Sequence, residues 1–286
     1  MKKLLQLLLL IAIVIHFTLK DTFYISSLLF YATPLPLLVL GLLFMLLFIK
    51  ASARKYYVIL IVVLSIIWVK NSYLYTSKVE TSNALEIVLW NAYRIQNFEE
   101  AFQENKTIPD VMVLIESDID KFEKAKKAFP NYHFYFNDHA IGIFSKTPLK
   151  IYSSATKEHV TMVHFNTNEI DFYAVDVYAN VKFFRKPMLK NILSRIKMDD
   201  KTIILGDFNT PYESLFFKNF KKKYKHAFTE KGNGFRETWF WNIPLLSLDH
   251  IWVSPDLEIL KTEKIATWKS DHSMLKMYLK NDVEKK

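Results

Sequence analysis

The sequence predicts a membrane anchor followed by one α/β domain, and three observations predict it. Residues 1–70 are apolar almost throughout and hold a single acidic residue, Asp21. From Leu85 onward, short β-branched runs alternate with amphipathic stretches and turn residues, the pattern of strands, helices and loops around one α/β or sandwich core. Within that second part, Ile203-Ile204-Leu205-Gly206-Asp207-Phe208-Asn209-Thr210-Pro211 is an apolar run that ends abruptly in turn residues, a buried strand and its loop.

Hydrophobic residues make up 51% of the 286, with a mean hydropathy of +0.06, and the excess lies in the first 70 positions. The net charge of +9 is just as uneven. Lys2, Lys3, Lys20, Lys50, Arg54, Lys55 and Lys70 against Asp21 give +6, which leaves +3 for residues 71–286. A sequence pI of 9.3 therefore reports the flanks of apolar stretches more than a nucleic-acid surface. Cysteine is absent, which excludes disulfides, thiolate metal sites and a cysteine nucleophile.

Three apolar stretches come first: Leu4–Leu19, Leu28–Ile49 and Tyr56–Val69. A spanning helix needs about 20 apolar residues. The second stretch meets this outright, with Pro34 and Pro36 marking a kink or a helix start. The third reaches full length if Lys70 snorkels and the helix runs on through Tyr73 and Tyr75. No small-x-small site follows the first stretch, since His16-Phe17-Thr18-Leu19-Lys20-Asp21 offers none, so three spans are expected rather than a cleaved leader. Basic residues at Lys2, Lys3, Lys50, Arg54 and Lys55 belong on the cytoplasmic side. The domain after span three is then extracytoplasmic, tethered by a polar linker, 71–84.

Leu85–Asn91 reads as a strand ending on Asn91, and Ile95–Glu104 as a short helix. Val111–Ser117 reads as a second buried strand that ends on an acid, Glu116; a charge beside core strands is normally paired or bound to a metal, or already in water. Asp120–Phe129 reads as an amphipathic helix. Strands follow at 140–145, Val160–Phe165 and Ile170–Tyr178, the last two joined by a hairpin at 166–169. Pro187–Ile196 is a helix that feeds the Ile203–Asn209 strand. Lys218–Lys225 carries five lysines and reads as the solvated face of a helix, with phosphate or lipid head groups as the sharper alternative. Leu246–Val253 and Met274–Leu279 close the list of strands, with Ser270-Asp271-His272 just before the last.

Alternation along extended chain would put Asp207 and Asn209 on one side, with Phe208 turned into the core. An acid beside an amide can hold and polarise water; the same two residues can also form an Asx-turn that caps its own backbone. Asn91, Glu116, Asp207, Asn209, Asp249, Asp271 and His272 all lie at strand ends or beside them. Such a set supplies what phosphoester hydrolysis requires. Hard oxygens can hold Mg²⁺, an acid–amide pair can orient water, and a carboxylate–imidazole pair can meet charge developing on phosphorus.

Taken in order, Asn91, Glu116, Gly206-Asp207-Phe208-Asn209, Asp249-His250 and Ser270-Asp271-His272 resemble the endonuclease/exonuclease/phosphatase superfamily. It includes pancreatic-type deoxyribonucleases, apurinic endonucleases, neutral sphingomyelinases and inositol polyphosphate 5-phosphatases. The resemblance covers residues 85–280 and implies a four-layer α-β-β-α sandwich, two packed sheets flanked by helices. It implies Glu116 as the principal Mg²⁺ ligand (Mn²⁺ as substitute), with Asn91 beside it and Asp271 near the metal. Asp207 would position or deprotonate water with Asn209; His272 would contact the phosphate, oriented by Asp249. Many members carry His where this chain has Tyr178, as the apurinic branch also has Tyr, so a neutral donor to phosphate is implied. Arg185, His250 and Trp239 are candidate substrate contacts; Arg185 could equally make a helix-start salt bridge, and Trp239 reads as core first.

The expected function is a membrane-anchored, metal-dependent phosphoester hydrolase acting outside the cytoplasm. Its substrate would be a nucleic acid, a lipid head group or a small phosphodiester, with no obligate protein partner in view. A catalytically silent binding module is the alternative, disfavoured because the acids, the amide and the imidazole are all present. A transport role has little to work with, because His16 is the lone titratable group inside the apolar stretches.

Overall fold

Strands that are apolar on both faces need cover on both faces, and the fold supplies it with four layers. The computed structural model describes residues 2–76, 81, 83–197 and 201–281. In chain order its first elements are α1 (Lys2–Val14), continued by a π-helical turn Ile15–Leu19, then α2 (Tyr24–Ala32), α3 (Leu35–Met45) and α4 (Ala51–Ser72). There follow β1 (Tyr73–Leu74), β2 (Leu85–Asn91), α5 (Phe98–Asn105), β3 (Val111–Ile115), α6 (Phe122–Ala128), β4 (His133–Phe136) and β5 (Gly142–Ser145). Next are β6 (Lys150–Lys157), β7 (Val160–Thr167), β8 (Ile170–Val177), α7 (Arg185–Arg195) and β9 (Thr202–Asp207). After a 3₁₀ turn at Leu215–Phe217 come α8 (Lys218–Lys223), β10 (Lys225–His226), α9 (Ala227–Lys231), β11 (Gly234–Phe235), β12 (Asp249–Val253), β13 (Ile259–Ile265) and β14 (Met274–Leu279).

One six-stranded sheet has the order β10-β12-β9-β8-β7-β6, and the other β13-β14-β2-β3-β5-β4. Residue alternation sorts the side chains into three apolar layers. Ile87, Leu89, Val113, Phe165, Phe172, Ile203, Leu205 and Ile251 fill the space between the sheets. Val88, Trp90, Met112 and Phe144 meet Phe98, Ala101, Phe102 and Ala125 of α5 and α6. Tyr173, Val175, Ile204 and Trp252 meet Met188, Leu189, Ile192 and Phe220 of α7 and α8. This is the expected α-β-β-α sandwich. α5 starts on a reciprocal cap: Asn97 Oδ1 accepts from Glu99 N at 2.8 Å, and Glu100 accepts from Asn97 N at 3.1 Å.

The topology also collects the polar strand ends. β2 pairs in parallel with β3, setting Asn91 beside Ile115, and β8 in parallel with β9, setting Asp176 beside Asp207. β12 runs antiparallel to β9 with Asp249 opposite Asp207. β14, just after His272, runs antiparallel to β2. The carboxyl ends of four strands and the amino ends of two thus meet at one end of the sandwich. Gly206 is required there, because a Cβ would lie 1.8 Å from the Val175 carbonyl oxygen of the neighbouring strand.

In the N-terminal region two helices are long and apolar enough to cross a membrane, Lys2–Leu19 and Ala51–Ser72, or three if α2 and α3 count as one broken span. With 22 residues, α4 is about 33 Å long at the usual rise per residue. The second apolar stretch is not one straight helix: α2 and α3 meet at 67°. Pro34 caps α3 in extended conformation, it has no N–H to continue α2, and the residue before a proline avoids the helical region. Leu38, Leu42, Ile61 and Leu64, with Leu9 and Ile13, pack α1, α3 and α4 together.

The helix α4 stops at Ser72, short of the expected Tyr73 and Tyr75. Tyr73 and Leu74 leave it as β1 and pair with β11, while Trp68 stacks on Phe235 at 5.2 Å. The start of the expected linker is therefore docked on the sandwich; 77–80 and 82 within it, and 282–286 of the charged tail, lie outside the described residues.

Strands β4, β6 and β13 answer to no expectation from sequence. β6, Lys-Ile-Tyr-Ser-Ser-Ala-Thr-Lys, is a largely exposed edge strand, and an edge needs no apolar face to announce it.

Candidate active site

Asp207 sits at the centre of the collected strand ends, and both of its oxygens are engaged. Oδ1 accepts the Asn209 backbone N–H at 2.8 Å, an Asx-turn. Oδ2 accepts Asn91 Nδ2 at 3.0 Å and lies 4.0 Å from His272 Nε2. The Asx-turn reading of this loop is seen, and the carboxylate that caps the turn also lines the cavity. Asn209 departs from its expectation. Its backbone turns left-handed at φ 46°, tolerable for Asn, and its amide donates to the Val177 carbonyl at 2.7 Å. Asn209 thus ties the loop to β8.

His272 is held on all sides. Nδ1 lies 2.8 Å from Asp249 Oδ2. Its backbone N–H donates to Ser270 Oγ at 3.0 Å, and Ser270 in turn donates to the Asn91 carbonyl at 2.8 Å. The Trp90 indole N–H donates to the His272 carbonyl at 3.1 Å. Burial works against a charged ring, but the Asp249 carboxylate, its hydrogen bond, Asp207 and Asp271 outweigh it and hold the imidazole up to about 10. Asp207 is pushed well above the usual carboxylate range by burial and by Asp249. The result is an imidazolium with Nε2 toward a carboxyl group of raised basicity.

Glu116 follows β3 in a left-handed conformation, φ 52°, which swings its side chain away from strand alternation. It accepts from Arg94 Nε at 3.0 Å, an exposed pair worth little to stability. Glu116 lines two adjoining cavities. The first, about 470 Å³, also holds Asn91, Asp207, Asn209, Asp271 and His272. The second, about 640 Å³, holds Arg94, Asp176 and Tyr178. Tyr178 presents a half-exposed ring there, 6.3 Å from His159 and 6.1 Å from Phe183.

The three candidate substrate contacts diverge. Trp239 lines the first cavity, with Nε1 donating to Asp271 Oδ2 at 2.9 Å. Arg185 reaches that cavity and donates from Nε to the Asn209 carbonyl at 3.0 Å and from Nη1 to the carbonyls of Asn180 and Phe183 at 3.1 Å, so it pins two loops instead of making a helix-start salt bridge. His250 is a correction. Alternation along β12 puts Asp249 on the site face and His250 on the other. There its Nε2 meets the Thr210 carbonyl at 2.9 Å and Nδ1 meets His226 at 3.0 Å, among Phe208, Phe217 and Trp252. Burial pulls it down to about 4, a neutral core histidine.

A divalent cation suits this chemistry. Asp249 Oδ1 is buried with no hydrogen-bond partner among the described residues, and Asp207, Asp249 and His272 offer ligand-type atoms within 4.8 Å of one another. Asp176 is raised to about 7 by burial and by Glu116, the mark of unneutralised acid. Asp176 and Arg94 were missed in the sequence. Period two from Tyr178 places Asp176 on the same face of β8 and could have found it; nothing flagged Arg94.

The sequence pattern described as the Endonuclease/Exonuclease/phosphatase family matches residues 88–272. The chain belongs to that family. Solved structures with the same fold include an endonuclease/exonuclease/phosphatase family protein from Bacteroides thetaiotaomicron, 15% identical with a TM-score of 0.55 over 69% of this chain and 97% of that one. TDP2 from D. rerio, complexed with a single-strand DNA product, is 15% identical, TM-score 0.52, over 70% and 100%. A mannosyl-6-phosphatase from Bacteroides thetaiotaomicron is 14% identical, TM-score 0.54, over 68% and 99%. No curated protein matches the chain in sequence. The family fold is one that carries phosphoester hydrolysis, and the buried Asp207–Asp249–His272 group lies where its β9, β12 and β14 strand ends converge.

Proposed function

We propose that this family member is a membrane-anchored, Mg²⁺-dependent phosphoester hydrolase of the phosphodiesterase type, acting outside the cytoplasm. The observation that carries the reading is the pairing of a raised carboxyl, Asp207, with a charged imidazole, His272, 4.0 Å apart in one cavity. Asp207 Oδ2 takes the proton of an attacking water. Asn91 and the Asn209 backbone fix the plane of that carboxylate, so the proton acceptor keeps one orientation. His272 donates from Nε2 to a phosphate oxygen, and Asp249 holds it in the charged form. Glu116, with Asn91 and Asp271, would hold the metal beside Asp207, since all four line one cavity; His272, charged and paired through Nδ1 with Asp249, would stay outside its ligands. Bound there, Mg²⁺ (or Mn²⁺) would neutralise phosphate charge and polarise the phosphorus–oxygen bond. Tyr178 would add a neutral donor to phosphate from the adjoining cavity, and Trp239 a wall.

Residues 1–70 form the anchor, with three spans if α2 and α3 make one broken crossing. Its orientation draws support from charge. α1 begins at Lys2 and Lys3 and ends at Lys20, whose Nζ donates to the Glu213 carbonyl of the sandwich at 3.3 Å. α4 begins beside Lys50 and ends docked on β11. Both basic clusters therefore lie at the helix ends away from the catalytic domain, where the cytoplasm would be. The test is a substrate screen of the purified full chain with Mg²⁺ against DNA, RNA, sphingomyelin, phosphoinositides and an aryl phosphodiester. Hydrolysis of at least one, abolished by EDTA, is expected; hydrolysis of none would sink the reading.

A further inference from the structure

Part of the active-site wall is not made by the catalytic sandwich. The cavity that holds Asp207 and His272 is also lined by Leu28, Tyr31 and Ala32 of α2, together with Val181 and Leu246. α2 is fixed there by built contacts. Asp21, the one acid of the anchor, is fully buried and accepts from Ser214 Oγ, from the Leu215 backbone N–H at 3.0 Å and from the Tyr31 hydroxyl at 3.0 Å. Ser214 and Leu215 lie on the segment that continues from β9 and Asp207. A buried carboxylate with three donors is a strong tie, and it clamps the anchor to the loop that carries the catalytic acid.

The same helix is apolar toward the outside. Ile25 and Leu29 are 71% and 41% exposed, and Phe23, just before its first residue, 55%. It lies between α1 and α3, elements of the membrane-crossing region, and meets α3 at 67°. As the half of the broken crossing nearer the catalytic domain, this helix turns an apolar face to lipid while its other face lines the cavity. The cavity's one arginine, Arg185, gives Nε and Nη1 to backbone carbonyls and leaves at most Nη2 for a phosphate, and residues 71–286 carry only +3. A nucleic-acid strand would ask for free cations along its phosphates; this wall offers apolar side chains instead.

We infer that the substrate is a phospholipid of the bilayer, its head-group phosphate held at Asp207 and His272 and its acyl chain lying against Leu28 and Ala32 of α2. The inference rests on the phosphoesterase reading and narrows it. The anchor then does more than tether: it supplies the substrate's apolar subsite and opens the cavity toward the lipid.

The test uses the full chain in nanodiscs with Mg²⁺ and follows a long-chain phospholipid, its short-chain analogue with the same head group, a soluble aryl phosphodiester and a single-stranded oligonucleotide. The long-chain lipid should give the highest kcat/KM. Leu28→Gln and Ala32→Gln should each lower the ratio of long-chain to short-chain kcat/KM by about tenfold or more, the weight of one lost apolar contact set. A ratio unchanged in both variants, or an oligonucleotide preferred over lipid, would overturn the lipid assignment and leave the phosphoesterase reading intact. Hydrolysis of nothing in the panel would overturn both. A second measurement needs no turnover and no fold-sensitive variant. In EDTA, a phospholipid with a photoreactive group in its acyl chain should label Leu28 or Ala32, the cavity-lining positions of α2; α2 labelling confined to the outward Ile25 and Leu29 would contradict the subsite.

Discussion

Asn91 and Asp207 belong to different sheets, and the 3.0 Å hydrogen bond between them closes the sandwich at its active end. Asn91 ends β2 and Asp207 ends β9, so the donor and the proposed catalytic acid are brought together by sheet packing. A hydrogen bond to a charged acceptor contributes about 1.5–3 kcal/mol. Asn91→Ala should therefore lower kcat about 10–150-fold, and Asn91→Asp should lower it further by placing a second carboxylate against the first. Steady-state kinetics on an aryl phosphodiester reads both; an unchanged kcat in Asn91→Ala would remove Asn91 from the site.

Asp249 and His272 should act as a unit. Each of Asp249→Asn and His272→Ala should cost about 10²–10⁴-fold in kcat, and the double variant little more than the worse single one. Effects that multiply would show that the 2.8 Å contact is not the working link.

The His272 ring should titrate near pH 10, and the sign of its effect on stability follows. Its folded pKa is raised, so its stabilisation is complete below the ordinary histidine value near 6.5 and is lost as pH rises through about 10. Histidine-selective NMR should place the midpoint, and Asp249→Asn should bring it down. Thermal midpoints of the wild type should fall between pH 7 and 10 more steeply than those of His272→Ala. A midpoint at the ordinary value would contradict the charged-imidazole role.

The legibility of the molecule was uneven, for physical reasons. β3 and β9 are plain because both faces are buried and their cores read as continuous apolar runs; β2, β8 and β14 remain legible because only Glu86, Asp171, Asp176 and Lys276 interrupt apolar runs. The site residues at their ends stood out as polar groups closing such runs. His250 shows the limit: its neighbour Asp249 faces His272, and alternation alone sends the imidazole into the core. Asp176 was hidden inside an otherwise apolar strand. The α2 wall could not be read at all, because no pattern in Leu28–Ala32 tells which distant cavity a helix will line. Pro34 gave the break, but not the docking.

The corrected place of His250 carries its own expectation. Both ring nitrogens are spent, on the Thr210 carbonyl and on His226, and an unpaired buried polar group costs about 1–3 kcal/mol. His250→Leu should lower the denaturation midpoint while leaving KM for a phosphoester unchanged. A raised KM at normal stability would restore it as a substrate contact.

The metal and the acid base are best tested together in one titration of rate against Mg²⁺, using the full chain and an aryl phosphodiester. The wild type should be inactive in EDTA and recover with Mg²⁺ or Mn²⁺. Glu116→Gln should need far more metal to reach the same rate, and Asp207→Asn should stay about 10²–10⁴-fold slower at every metal concentration. Hydrolysis that survives the chelator, or an Asp207→Asn variant as fast as the wild type, would contradict a metal-dependent phosphoesterase built on these residues.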